Sequence, residues 1–239
     1  MSRFTASLLI HSAAEEPLGN VSMIWAAAVL ALVAWASAAC AAAPEAFVSK
    51  GDFDFYILTL SWSPGFCDTG GAEKARDQCA AGAGEGFVVH GLWPENADRP
   101  YPSDCGDAGY ISGEALRQTH GLYPSEGLAR YEYRKHGMCT GLTPEAYFGA
   151  VKYAAGRVTT PPSLQAPHQE LDLAPSDLES AFIAANPALT SDNFAITCRR
   201  GELIDVRICV SKSLDSFVDC PKVARHTCHS SQIKVSPLR

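Results

Sequence analysis

The sequence predicts an α+β fold held together by disulfides. Strand-like and helix-like segments both occur without regular alternation, which argues against a doubly wound parallel sheet. Eight cysteines follow an apolar leader, an even number that suits an exported, cross-linked chain. The simplest division is a leader over 1–43 and a single domain over 44–239.

Met23 to Ala43 is an apolar run without charge, and Ala36-Ser37-Ala38 fits the small-residue cleavage site of a secretory signal. Only Arg3 supplies basic charge upstream, so Met23 is an alternative start. A membrane-spanning helix is the rival reading, because about twenty apolar residues can cross a bilayer. A lipoprotein signal ending at Cys40 is a lesser one, since Ser37 stands where such signals want a larger aliphatic. The expected outcome is a secreted or periplasmic monomer with no stable membrane association once the leader is gone.

Net charge is −7, and residues 1–43 hold one cation and two acids, which leaves −6 for 44–239. Bulk attraction to a polyanion is not expected, so any such substrate needs cations gathered in one site. Cysteines 67, 79, 105, 139, 198, 209, 220 and 228 remain after the leader. None forms a Cys-x-x-Cys pair, which weakens a zinc-cluster reading.

Phe53–Trp62 is aromatic and β-branched and reads as a strand, closed by Ser63-Pro64-Gly65. A second strand, "GFVVHGLW", ends at His90. Residues 95–110 are rich in Pro, Gly and Asp and read as a loop. Helices follow with Ser112, Ser125 and Thr143 as N-caps, the second stopped by Gly137. A further helix takes Ser176 or Asp177 as cap and ends at Pro187. "FAITC" and "LIDVRICVSK" are strands joined through Arg199-Arg200-Gly201-Glu202.

Two histidines carry the chemistry. His90 stands at a strand end, and His136 stands near a helix end, four residues after Glu132 and next to Lys135. Four-residue spacing puts Glu132 and His136 on one helix face, so Glu132 should favour protonated His136 and Lys135 should oppose it. Taken singly, each histidine reads as structural and the Glu–Lys pair as solvated. Each histidine, however, precedes glycine and is followed by a cysteine. If Cys105 bonds Cys139, both imidazoles face one cavity. Such a pair serves as acid and base at a phosphodiester, with Lys135 neutralising charge on phosphoryl oxygens.

"HGLWP" (His90–Pro94) and "EYRKHGMC" (Glu132–Cys139) resemble the two active-site segments of the ribonuclease T2 family, and the likeness extends through Phe55–Cys67 and Gly201–Cys220. That resemblance implies an antiparallel β-sheet core with flanking α-helices. It implies cleavage of single-stranded RNA, with low base specificity and without metal or other cofactor. DNA, lacking the 2′-hydroxyl, should be inert. By motif position His136 is the base, His90 the acid, and Glu132 and Lys135 assist at the phosphate. Products are 2′,3′-cyclic and then 3′-phosphate ends. Trp93 and Tyr101 match aromatics that sandwich a base. Glu95 stands where the family often has Asp or Asn contacting it. The family also suggests the pairs Cys198–Cys228, Cys209–Cys220 and Cys67–Cys79.

Tyr131 departs from a common third histidine, and Tyr133 from a common tryptophan. The leading class is therefore an exported endoribonuclease. Alternatives are a catalytically weak or inactive relative that binds RNA or protein, and a nuclease fold used as a toxin or recognition factor. The intact quartet argues against a pure binder.

Overall fold

The computed structural model describes residue 47 and residues 49–239, so the leader expected over 1–43 lies outside the described residues. Six strands form one sheet: β1 (Phe55–Trp62), β2 (Phe87–Glu95), β3 (Leu171–Leu173), β4 (Phe194–Arg199), β5 (Glu202–Ser211) and β6 (Ile233–Val235). Strand order is β2-β1-β5-β6-β3, and β4 also pairs with β5. All pairings are antiparallel except a single parallel contact, Glu202 with Lys234. Around the sheet lie α1 (Ser63–Asp68), α2 (Gly113–Arg117), α3 (Glu126–Lys135), α4 (Pro144–Ala155), α5 (Pro175–Ala185) and α6 (Pro221–Ala224). The expected α+β class holds. Among the described residues no helix is long and apolar enough to cross a membrane.

Strand alternation divides the sheet into two faces. Tyr56, Leu58, Leu60 and Trp62 of β1 join Val206, Ile208 and Val210 of β5 in the main core, against Tyr147 and Phe148 of α4 and Phe182 of α5. Full burial of each such side chain stabilises by roughly 1.5–3 kcal/mol. The opposite face carries Phe55, Ile57 and Cys209, with Trp93 packed beside them. The candidate site is built on this second face.

Helix starts follow local chemistry. Side chains of Ser112, Ser125 and Thr143 accept the backbone N–H of Ala115, Leu128 and Ala146, capping α2, α3 and α4. The Arg200-Gly201 turn joining β4 to β5 has positive φ at both residues, 55° and 82°, which matches the twist of the hairpin.

Three expectations are corrected. The second strand does not end at His90 but continues to Glu95, because Pro94 sits on an edge strand where a missing N–H is tolerated. Ser63-Pro64-Gly65 does not merely close β1; it opens α1, with proline in the first turn. The cap of α5 is neither Ser176 nor Asp177. Pro175 occupies the first turn and Ala174 is the N-cap, without a side-chain bond.

Four disulfides join Cys67–Cys79, Cys105–Cys139, Cys198–Cys228 and Cys209–Cys220. Cys105–Cys139 is the pair raised from the two histidine segments, and the other three are those that the family resemblance implies. Cys105–Cys139 ties the loop after β2 to the turn after α3, beside a backbone bond from Asp104 N–H to the Lys135 carbonyl (2.8 Å).

Candidate active site

His90 owes its direction to a slip in strand register. Thr59 pairs with Gly91 and Leu60 with Val89, which leaves His90 as the extra residue of a β-bulge. Without it, His90 and Trp93, three apart, would point to opposite faces; bulges re-aim side chains in this way. Both now line the same cleft.

Gly91 answers a steric demand. A Cβ at this position would collide with the Trp93 indole and the Glu132 carboxylate. Its absence lets Trp93 Nε1 donate to Glu132 Oε2 across 2.7 Å. The other Glu132 oxygen lies 3.7 Å from His90 Nε2.

Glu132 therefore faces His90, which corrects the expectation that it would govern His136. The cause is local. His136 is the C-cap of α3, with φ −122° and ψ −45°, so it has left the helix and its side chain departs from the face Glu132 occupies. His136 packs instead against Trp93 (ring centroids 5.4 Å) and Tyr101 (6.1 Å). Trp93 also meets His90 edge-on at 5.1 Å, so both imidazoles touch one indole.

The cleft has a volume of about 350 Å³. His90, Trp93, Glu95, Tyr101, Glu132, Lys135 and His136, all singled out from sequence, line it together; Ile57, Tyr131 and Arg207 complete it. Lys135 Nζ donates to the Tyr131 hydroxyl at 3.0 Å, and the Arg207 guanidinium lies 5.7 Å from the Trp93 ring. These are the gathered cations that an acidic chain needs. Glu95 accepts from the Asn96 N–H at 2.9 Å, and its burial raises the carboxyl above its ordinary value. A second cleft, of about 370 Å³, shares His90, with Ser61, Phe66, Lys74 and Gln78 on its wall.

The environments separate the two histidines. Burial drives His136 down to about 4, helped by the Lys135 ammonium and by His90, against the pull of Asp104. Its Nδ1 is buried with no hydrogen-bond partner among the described residues, which suits a neutral ring. Burial also penalises charge on His90, but the carboxylates of Asp205 and Glu132 outweigh it, and Arg207 opposes them. The result is a value raised above that of ordinary histidine. Glu132, only 1% exposed, is itself raised by burial, while His90, Trp93 and Lys135 draw it the other way. Opposite displacement of two neighbouring imidazoles permits one neutral and one protonated ring over a shared pH range, the condition for acid–base transfer.

Sequence reading missed Ser61, Asp205 and Arg207. Ser61 and Asp205 face each other across β1 and β5, and Ser61 Oγ donates to Asp205 Oδ1 at 2.5 Å. Only the strand register could have disclosed them. Among the described residues no three His, Cys, Asp or Glu side chains converge as a metal ion requires.

Residues 53–220 match the family model described as Ribonuclease T2 family, well over half of the chain. A ribonuclease of Aeromonas hydrophila is 44% identical over 112 residues, 47% of this chain and 47% of that protein, so the match spans about half its length. Ribonuclease DdI of Dictyostelium discoideum is 26% identical over 194 residues, covering 76% of this chain and 84% of its own. The solved RNase-related protein from Calystegia sepium superposes with a TM-score of 0.61 at 22% identity, over 78% of this chain and 98% of its own, a likeness of fold. The family match spans both histidine segments, the strand that carries His90 and the helix that His136 caps, and on it the chain belongs to the ribonuclease T2 family.

Proposed function

We propose that this cleft cleaves single-stranded RNA by transphosphorylation, with His136 as base and His90 as acid. The observation that carries the reading is the pair of oppositely displaced imidazoles on one indole. Neutral His136 takes the ribose 2′-hydroxyl proton, and the 2′-oxygen attacks phosphorus. Protonated His90 gives its proton to the departing 5′-oxygen. One P–O bond forms, one breaks, and the products are a 2′,3′-cyclic phosphate and a 5′-hydroxyl. Water then opens the ring with the roles exchanged, leaving a 3′-phosphate.

Glu132, buried and bonded to Trp93, acts by favouring the charged form of His90. Lys135 reaches the phosphoryl oxygens as a flexible point charge. The base 5′ to the cut stacks at Trp93 and Tyr101 beside Glu95. Because His90 borders both clefts, the nucleotide that leaves with the 5′-oxygen lies toward the second one. Low base specificity follows from stacking at Trp93 and Tyr101, since every base offers a π-face. DNA offers no 2′-nucleophile and is inert.

Four disulfides and the leader sequence support a secreted or periplasmic location, with residues 44–239 acting as a single monomeric domain. The test is incubation of the purified protein with homopolymer RNA and with DNA, in EDTA, followed by end-group analysis. Cyclic and 3′-phosphate ends from RNA alone are expected. Loss of cleavage in chelator, or 5′-phosphate ends, would refute the mechanism.

A further inference from the structure

His90 has an oriented back side that no motif discloses. Its Nδ1 lies 3.9 Å from Asp205 Oδ1, too far for a direct hydrogen bond. Ser61 Oγ stands between them, 3.4 Å from Nδ1 and 2.5 Å from Oδ1. A hydroxyl has one hydrogen to donate and two lone pairs to accept with. Ionised Asp205 can only accept, so it takes the Ser61 hydrogen. The lone pairs of Ser61 are what remain for His90, and Nδ1 must then carry the hydrogen in the neutral ring. Nε2 is left as the nitrogen that gains and loses the reacting proton.

Asp205 is built for a fixed position. It is 5% exposed, and its other oxygen lies 3.4 Å from Arg207 and 3.5 Å from the Thr197 hydroxyl. A second bulge supplies its direction. Thr197 pairs with Asp205 and Cys198 with Leu203, so Ile204 is the extra residue, and Leu203 faces the core while Asp205 faces His90. Burial alone would raise this carboxyl, yet the adjacent His90 imidazole, the hydrogen bond from Ser61 and the charge of Arg207 hold it below the ordinary aspartate value.

We propose that Asp205, acting through Ser61, is the positioning residue that fixes the tautomer of His90 and presents its Nε2–H to the leaving oxygen. The proposal rests on the acid role given to His90 above and adds the group that sustains it. The charges around His90 are Asp205 and Arg207 on β5, Glu132 and Lys135 on α3, His136 beyond Trp93, and Lys74 across the second cleft. Glu132 meets the working nitrogen, whereas Asp205 and Ser61 hold the opposite one. Removal of Asp205 therefore disturbs both the tautomer and the ease of protonation.

The experiment is nitrogen NMR of histidine-labelled wild type, Ser61→Ala and Asp205→Asn, with His90 assigned by loss of its signals in His90→Phe. Cleavage of RNA is followed against pH on the same samples. Wild-type His90 should hold its hydrogen on Nδ1 when neutral. In both variants its titration midpoint should fall and the alkaline limb of the rate profile should move with it. At neutral pH kcat should drop about tenfold or more, part of the roughly 10²–10⁴-fold that acid–base catalysis supplies, while KM stays within about twofold. A neutral wild-type ring protonated on Nε2, or an unmoved midpoint in folded variants, would overturn the proposal. If Asp205→Asn fails to fold, the wild-type tautomer and Ser61→Ala decide. The spectra need no substrate, so a protein that never cuts RNA would refute the function while the tautomer still judges Asp205.

Discussion

Trp93 holds Glu132 Oε2 by a 2.7 Å bond from the indole N–H, while the other carboxylate oxygen lies 3.7 Å from His90 Nε2. The strand edge and helix α3 meet there, and Gly91 leaves the space. An unsatisfied buried acceptor costs about 1–3 kcal/mol. Trp93→Phe keeps most of the apolar contact but leaves Glu132 Oε2 without this donor. We expect Trp93→Phe to lower stability by about that amount in urea unfolding, and Gly91→Ala to lower it further by displacing both groups.

His136 makes stability sensitive to acid. Its folded value of about 4 lies below the unfolded value of about 6.5, so between the two the unfolded chain binds more protons. Stability contributed by the neutral ring is present above the unfolded value and falls as pH drops toward about 4. His90 has the opposite sign: its contribution is full below the unfolded value and is lost as pH rises through the raised folded one. Urea midpoints across this range should decline less steeply toward acid in His136→Phe than in wild type. An unchanged slope would contradict the burial of a neutral His136.

Cys105–Cys139 spans 34 residues of sequence and fixes the loop carrying Tyr101 and Asp104 against α3. Removing a native cross-link of this kind costs about 2–4 kcal/mol. The double variant Cys105→Ser, Cys139→Ser should lose that much and, on the proposal that the loop's Tyr101 stacks on a base, should raise KM more than it lowers kcat. Thermal melts and steady-state rates on short RNA check both parts.

Much of the site was legible in the sequence because its residues cluster in two short segments. His90, Trp93 and Glu95 lie within one strand, and Glu132, Lys135 and His136 within one helix and its cap. Ser125 and Thr143 announced their helices through side-chain capping, a local event. What failed to show was set by register. The bulge at His90 depends on β1, and the bulge at Ile204 on the register of the β4–β5 hairpin, so Ser61 and Asp205, 144 residues apart, could not be joined by reading. Helical spacing misassigned Glu132 to His136 because it assumed that the helix continues through the cap. Three-residue strands such as β3 and β6 are too short for a period to appear.

Tyr131, in place of the histidine common in the family, anchors Lys135 through its hydroxyl at 3.0 Å. Lys135→Ala should reduce kcat about tenfold at low salt, less than the roughly 10²–10³ for a rigid buried donor, because a flexible surface charge is screened. Tyr131→Phe frees the ammonium and should change kcat less than Lys135→Ala does. Rates at two ionic strengths separate charge loss from misfolding.

The central claim is that His136 acts as the neutral partner and His90 as the protonated one. It is tested most directly by single-turnover RNA cleavage against pH for wild type, His90→Phe, His136→Phe and the double variant, with RNA binding measured alongside. Wild-type rate should rise above pH about 4 and fall as His90 loses its proton above the ordinary histidine value. Each single variant should lose about 10²–10⁴-fold in rate with binding nearly intact, His136→Phe erasing the acid limb and His90→Phe the alkaline one. The double loss should be less than additive, as for groups that act as a unit. Near-wild-type cleavage by either single variant, or exchange of the two limbs, would contradict the account.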